Sequence, residues 1–206
     1  RPRSGRVFFD GRDVTALKPH QRAEAGLART FQIPHEFAQL SVLENLMASA
    51  SAPQGENVLN VIFRRGRYSA EERAIYETAR DTVRLLELEH VIDEKAGNLS
   101  GGQKKLGELG RALMREPKII LLDEIGAGIN RTLLGKLADK ILMLNAERGL
   151  TFCLIEHDLD YVSRLCDHVL VMAQGTLLTE GTVDEVKRDE RVIEAYFGGG
   201  KYEAQL

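Results

Sequence analysis

The 206-residue sequence predicts an α/β fold, with a mostly parallel sheet, helices ahead of most of it and a short antiparallel β-ribbon near its start. Three observations carry that expectation. From Gly97 onward, helical segments alternate with short apolar ones, the order that builds parallel sheets. The runs Ile119-Ile-Leu-Leu122 and Phe152-Cys-Leu-Ile155 are apolar without alternation, as expected of parallel strands covered on both faces. Upstream, Ile75, Ala79, Val83 and Leu86 recur at a spacing that keeps them on one helical face.

In chain order, Val7, Phe8 and Phe9 predict an apolar strand within a ribbon over 6–16, and Asp10-Gly11 is a favoured hairpin turn. Pro19 suits a helix start, and that short helix is expected to end near Gly26. An extended stretch, 28–33, stops at Pro34. Ser41, followed three residues later by Glu44, forms a capping box that opens a helix over 41–48. Residues 51–68 contain Pro53, Gly55 and Gly66 with no sustained period, and read as mostly loop. Ser69-Ala-Glu-Glu72 repeats the capping signature and is expected to open the next helix. Helix 100–115, strand 118–123, helix 131–148, strand 151–156, helix 158–165, strand 168–172 and a ribbon around Gly175 follow. No internal repeat or low-complexity tract interrupts this order.

A hydrophobic fraction of 43% and a charged fraction of 29% suit a soluble globular domain with a sizeable core. The 28 basic residues nearly balance the 31 acidic ones, leaving a net charge of -3. No long basic stripe is present, so no nucleic-acid partner is expected. Cys153 and Cys166 fall in a predicted buried strand and the helix after it, which suits reduced core residues of a cytosolic protein better than a disulfide framework. No apolar run approaches the ~20 residues that a membrane-spanning helix needs, and no signal peptide is visible. Any membrane association is expected to come through a partner.

Two segments carry recognisable chemistry. The strand ending Asp123-Glu124 would place carboxylates at the carboxyl edge of a parallel sheet, where α/β folds bind ligands. Asp123 there suits a Mg²⁺, and Glu124 suits polarising an attacking water. The plainer alternative is a strand end and turn. Leu99-Ser-Gly-Gly-Gln103 precedes an amphipathic helix with Leu106, Leu109 and Leu113 facing inward. Ser100 and Gln103 make a capping box, and the glycines leave first-turn N–H groups open to a phosphate, aided by the helix dipole. Its plainer alternative is an ordinary capped helix with glycines for close packing.

Taken together, these segments resemble the ABC ATPase family, with Leu99–Gln103 as its signature motif and Ile119–Glu124 as its Walker B strand. Gln32, in Arg29-Thr-Phe-Gln32, matches the Q-loop glutamine, Gly128-Ile-Asn130 falls at the D-loop, and His157, in Leu154-Ile-Glu-His157-Asp158, matches the switch histidine. The motifs stand in family order over nearly the whole chain. The resemblance implies a P-loop NTPase-like core and the cofactors ATP and Mg²⁺. Ser100, Gly101 and Gly102, with Gln103 in the same motif, would contact the γ-phosphate held by the opposite subunit of a head-to-tail dimer. Glu124 would be the general base, Gln32 and Asp123 would serve the Mg²⁺, and His157 would hold the γ-phosphate and sense hydrolysis. The implied segments are 1–40, the remainder of the β-ribbon with the Q-loop; 41–98, the helical subdomain; and 99–206, the signature helix, Walker B strand and C-terminal α/β core.

Thr30-Phe-Gln32 through Ser41-Val-Leu-Glu-Asn45-Leu46, Leu154–Asp158 and the tail Val192–Gly198 are similar to the branched-chain amino acid importers. That subfamily implies transmembrane permease subunits as partners, an extracytoplasmic solute-binding protein indirectly, and a peripheral place on the cytoplasmic face of the plasma membrane. Arg64, Arg65 and Arg67 could meet a permease or form a solvated loop. The alternative of another class is a soluble ABC-type ATPase of repair or translation; a binding-only module is a third, disfavoured by the presence of Glu124 and His157.

Two positions depart from the family. Ile125 stands where proline usually follows the Walker B glutamate, and Asn130 stands where the D-loop usually ends in aspartate. The 206 residues contain no Gly-x-x-x-x-Gly-Lys-Ser/Thr, the loop whose N–H groups cradle phosphates. The chain opens on a loop leading into the ribbon, so the expectation is that this loop lies upstream and that these residues alone are inactive.

Overall fold

The computed structural model describes residues 2–51 and 65–197. They fall in two compact units, Arg1–Ile155 and Glu156–Leu206.

The first unit opens with the expected ribbon. β1 (Phe8–Phe9) and β2 (Arg12–Asp13) pair antiparallel, and Asp10 and Gly11 take φ values of 51° and 73°, as a type I′ hairpin turn demands. Lys118 pairs with Asp10 and ties the turn to the main sheet. α1 (Pro19–Glu24) starts on its proline, and Gly26, at φ 101°, turns the chain into β3 (Leu27–Arg29).

The predicted extended stretch over 28–33 is shorter in the structure. Thr30 still donates its N–H to the Leu121 carbonyl at 2.9 Å, but the N–H of Phe31 goes to the Glu108 side chain at 2.8 Å. The sheet ladder therefore stops there and the chain swings out as a loop.

α2 (Val42–Met47) is capped by Ser41 and Glu44, with both reciprocal bonds formed. α3 (Arg65–Leu85) departs from expectation at its start. Residues 65–68 are helical rather than loop, and Ser69 lies inside the helix instead of capping it. Arg65 and Arg67 are good helix formers and Ser69 costs an interior only a few tenths of a kcal/mol, so the local capping signature is overridden. The rest of the expected loop, 52–64, lies outside the described residues, as does Arg64. Ala79, Val83 and Leu86 are buried as their spacing predicts.

After 3₁₀ turns at Glu89–Val91 and Ala96–Asn98, α4 (Gly101–Leu113) buries Leu106, Leu109 and Leu113. Gly110 lets α4 approach the helical segment closely: a Cβ there would lie 2.9 Å from Leu86 Cδ1 and 3.5 Å from Leu46 Cδ1. β4 (Ile119–Asp123), α5 (Arg131–Arg148) and β5 (Thr151–Ile155) then form a strand–helix–strand unit, the connection that parallel neighbours require. The sheet order is β3-β4-β5, parallel throughout, with Leu27 opposite Ile119 and Asp123 opposite Ile155. Ile120 and Leu122 from β4 and Leu137, Ala138, Ile141 and Leu144 from α5 are buried.

Only part of the sheet is covered as predicted. β5 alternates, with Phe152 and Leu154 half-buried and Thr151, Cys153 and Ile155 exposed, Ile155 at 61%. Cys153 is thus an exposed free thiol rather than a core residue, and Cys166 is half-buried and forms no disulfide. An unbroken apolar run identifies a strand but does not say which of its faces is covered.

The second unit has α6 (Leu159–Leu165), an antiparallel hairpin of β6 (Val169–Ala173) and β7 (Thr176–Gly181), α7 (Val183–Arg188) and α8 (Glu190–Phe197). Gln174 and Gly175, at φ 49° and 78°, make its turn. Val171, Val186 and Val192 form its small core. No helix of the described residues is long and apolar enough to cross a membrane.

Candidate active site

The carboxyl edge of the main sheet gathers three of the predicted residues. Thr30, only 2% exposed, extends β3 by one residue and its Oγ1 accepts the N–H of Asp123 at 3.4 Å. That places Gln32, two residues on, beside the end of β4. Gln32 Nε2 donates to Glu124 Oε2 at 2.5 Å. Asp123 Oδ2 accepts from Arg29 Nη2 at 2.8 Å, with the two side chains 25% and 55% exposed. The Arg29 guanidinium also lies over the Phe31 ring, 5.2 Å from its centre.

Glu124 is held in an unusual backbone state. Its φ is 44°, in the left-handed region that costs a non-glycine residue roughly 1–2 kcal/mol. Three hydrogen bonds offset this. Its N–H donates to the Ile155 carbonyl at 2.9 Å, and its own carbonyl accepts from Ala127 N–H at 3.1 Å and from Lys105 Nζ at 2.8 Å. The result is a turn held at both its N–H and its carbonyl, with the carboxylate in reach of Gln32. Ile125, where the family usually has proline, is 3% exposed and packs inward.

The donor set suits a hard cation. Mg²⁺ takes oxygen ligands, a few from protein and the rest from water and substrate phosphates. Gln32 donates through Nε2, which leaves its amide oxygen for such a role beside the Asp123 carboxylate, of which Arg29 engages one oxygen.

The signature segment sits at the start of α4. Ser100 caps the helix: Gln103 N–H donates to Ser100 Oγ at 3.4 Å and Ser100 N–H to Gln103 Oε1 at 2.9 Å. Gln103 Nε2 also lies 3.2 Å from His90 Nε2. The two glycines differ. A Cβ at Gly101 would meet nothing within 4 Å, whereas one at Gly102 would lie 2.1 Å from Leu133 Cδ2 and 3.3 Å from Ile129 Cγ2. Gly101 is open to solvent; Gly102 is glycine because α5 and the loop before it pack against it. Ser100 and Gln103 line a cavity of about 380 Å³ with His90, Asn130, Lys136 and Lys140. Asn130, in place of the expected aspartate, N-caps α5 through a 2.9 Å bond from Leu133 N–H.

His157 belongs to the second unit. It is exposed and borders a cavity of about 540 Å³ with Asp158, Asp160 and Lys187. Asp158 fixes the adjoining turn by accepting N–H bonds from Asp160 and Tyr161 at 3.0 and 3.1 Å.

Sequence reasoning missed a set of charges on α4 that holds the Q-loop. Glu108, 6% exposed, accepts Phe31 N–H at 2.8 Å; Arg111 donates to the His35 carbonyl; Lys104 pairs with Glu36 at 2.7 Å. Burial pushes the Glu108 carboxyl up, only partly opposed by Phe31 N–H and the nearby cations. Burial likewise pushes Arg111 down. Burial raises Glu36 too, but its bond from Lys104 and the surrounding donors outweigh this and leave it lowered. Charges at 104, 108 and 111, spaced by helical turns on a helix with an otherwise apolar face, were the available signal.

A family model described as ABC transporter matches residues 1–127. The chain belongs to the ABC transporter family. A second model, described as branched-chain amino acid ATP-binding cassette transporter, matches residues 176–202 of this cassette. The cassette is 41% identical over 198 residues to the probable branched-chain amino acid transport ATP-binding protein LivG of Methanocaldococcus jannaschii, spanning 94% of this chain and 76% of that one. It is 38% identical over 194 residues to the LivG protein of Archaeoglobus fulgidus, spanning 94% and 74%. Among solved structures, a nucleotide-free ATP-binding cassette from an ABC transporter superposes with a TM-score of 0.78 at 39% identity, over 94% of this chain and 77% of that one. The cassette's family and its α/β fold are those expected from its motifs.

Proposed function

We propose that this chain is the ATP-hydrolysing subunit of an importer for branched-chain amino acids or related solutes. The observation that carries the catalytic half is the Gln32–Glu124 contact at the sheet edge, 2.5 Å, beside Asp123. In this reading Glu124 takes the proton of the attacking water, and Gln32 orients its carboxylate. Asp123 and the Gln32 oxygen would hold Mg²⁺, which neutralises charge on the substrate's phosphates. Phosphoryl transfer needs positioning and charge neutralisation more than covalent chemistry, and a turn fixed at both its N–H and its carbonyl supplies such positioning.

The exposed helix start at Ser100 and Gly101 serves a different nucleotide. Its open N–H groups and the positive end of the α4 dipole suit a γ-phosphate on the opposite subunit of a head-to-tail dimer. Gly102 and the Ser100–Gln103 cap keep that helix start in shape. His157 holds the γ-phosphate within its own subunit. Residues 41–98 serve as the helical subdomain toward transmembrane permease subunits, with the chain peripheral on the cytoplasmic face and an extracytoplasmic binding protein delivering solute.

The solute class is supported by the relatives' names and by the match at 176–202. The test is uptake by the full-length subunit reconstituted with its permease in vesicles. ATP-dependent accumulation of labelled leucine, isoleucine or valine is expected. Copurification without any permease, and hydrolysis indifferent to these solutes and their binding protein, would overturn the proposal.

A further inference from the structure

Helix α4 carries two buried charges that the mechanism above does not use. Lys105 and Glu108 are each 6% exposed, an uncommon depth for such side chains. Both reach into the candidate active site from the same helix. Lys105 Nζ donates to the Glu124 carbonyl at 2.8 Å, and Glu108 accepts Phe31 N–H at 2.8 Å, one residue before Gln32. Each member of the Gln32–Glu124 contact is therefore fixed at or beside its backbone by a side chain of α4.

The two restraints differ in what they hold. Phe31 is exposed and its loop has further ties through Arg111 to His35 and Lys104 to Glu36. Glu124 sits in a left-handed turn, φ 44°, and its carbonyl accepts a charged donor, the Lys105 ammonium. Without that donor the carbonyl keeps the weaker bond from Ala127 at 3.1 Å, and the turn loses a charge-assisted restraint against relaxing to an ordinary φ. Such a change rotates the Glu124 side chain out of reach of Gln32.

We propose that Lys105 is a positioning residue for ATP hydrolysis, holding the Glu124 turn so that its carboxylate meets Gln32 and the attacking water. Its ammonium meets the Glu124 carbonyl, so it acts through the Glu124 main chain. The proposal rests on the reading of Glu124 as the base. It also gives the signature helix a second task, since the helix that offers Ser100 and Gly101 outward sets the catalytic pair of its own subunit.

The test uses the full-length subunit in its assembled transporter, with Lys105→Met to remove the donor while keeping an unbranched apolar stem, Lys105→Gln to retain a shorter donor, and Glu124→Gln as reference. Loss of a charge-assisted bond that acts at the transition state is expected to lower kcat of Lys105→Met by about tenfold or more, with KM for ATP within about twofold of wild type. Lys105→Gln should recover part of that loss. Wild-type kcat in Lys105→Met, a rise in KM that accounts for the whole defect, or Lys105→Gln no better than Lys105→Met would overturn the proposal. If Lys105→Met does not fold, Lys105→Gln decides: reduced kcat at unchanged KM supports it, and wild-type kcat refutes it. Turnover retained by Glu124→Gln would instead remove the reading of Glu124 as base, a result distinct from any Lys105 outcome.

Discussion

Replacing Gly101 with alanine sets the fold and the function against each other. Gly101 is the first residue of α4, behind the Ser100 cap, and a Cβ at this position meets no heavy atom within 4 Å. The fold should accept the methyl group. Alanine is favoured over glycine in a helix by up to about 1 kcal/mol, so stability should be unchanged or rise by no more than that. The expected functional effect has the opposite sign. A methyl group on the open face of the helix start holds a phosphate away from the first-turn N–H groups. Losing one hydrogen bond to a charged group costs about 1.5–3 kcal/mol, or roughly 10- to 100-fold in rate if the bond matters in the transition state. The assay pairs thermal unfolding of the subunit with steady-state ATPase of the assembled transporter. Full turnover in a stable Gly101→Ala variant would refute the placement of this helix start against a nucleotide. Gly102→Ala is the built-in contrast. Its Cβ would lie 2.1 Å from Leu133 Cδ2, so it should destabilise the fold by about 1–3 kcal/mol as overpacking does.

Other changes probe the supports of the site. Gly110→Ala pushes a methyl to within 2.9 Å of Leu86 Cδ1, against leucines that are fully buried, and should cost about 1–3 kcal/mol in chemical denaturation; an unchanged midpoint would contradict the close approach of α4. Glu108→Gln tests the buried carboxylate through pH. Burial raises the folded pKa above the ordinary value of 4.5, so just above that pH the folded state holds a proton the unfolded chain has lost, and stability falls as pH rises. Glutamine keeps an oxygen for Phe31 N–H and does not titrate. The variant's thermal midpoint relative to wild type should therefore climb as pH increases from about 4.5 through the raised pKa, and a flat difference would be inconsistent with burial of the charge. Isothermal titration of the 206-residue chain with Mg-ATP should show no micromolar binding, because the sequence holds no Gly-x-x-x-x-Gly-Lys-Ser/Thr; micromolar affinity would show that the remaining groups suffice.

What was legible in the sequence was the part written in local chemistry. Asp10-Gly11 dictates its turn by positive φ, Ser41 and Glu44 cap α2 reciprocally, and the Ser100–Gln103 box forms as its spacing requires. The apolar runs at 119–122 and 152–155 marked two strands, which pair in parallel as expected. Exposure is a tertiary property, so the same runs did not reveal that Cys153 and Ile155 face outward. The start of α3 was misread because a capping signature at Ser69 is no stronger than an uninterrupted helix through it. Within the site, Asp123 and Glu124 were found as acids at a strand end and Gln32 through the resemblance to the family's Q-loop, but Lys105, Glu108 and Arg111 were not. Their partners are main-chain groups of segments distant in sequence, and a backbone partner leaves no trace in a motif.

The most direct measurement is single-turnover cleavage of Mg-ATP by the full-length Glu124→Gln subunit in its transporter, alongside ATP binding by the same protein. The substitution keeps the size of the side chain and removes the base. Cleavage at least about 100-fold slower than wild type, with ATP still bound, is the expected result. Cleavage at the wild-type rate would mean that the carboxylate beside Gln32 does not activate the water, and the account of this site would fall.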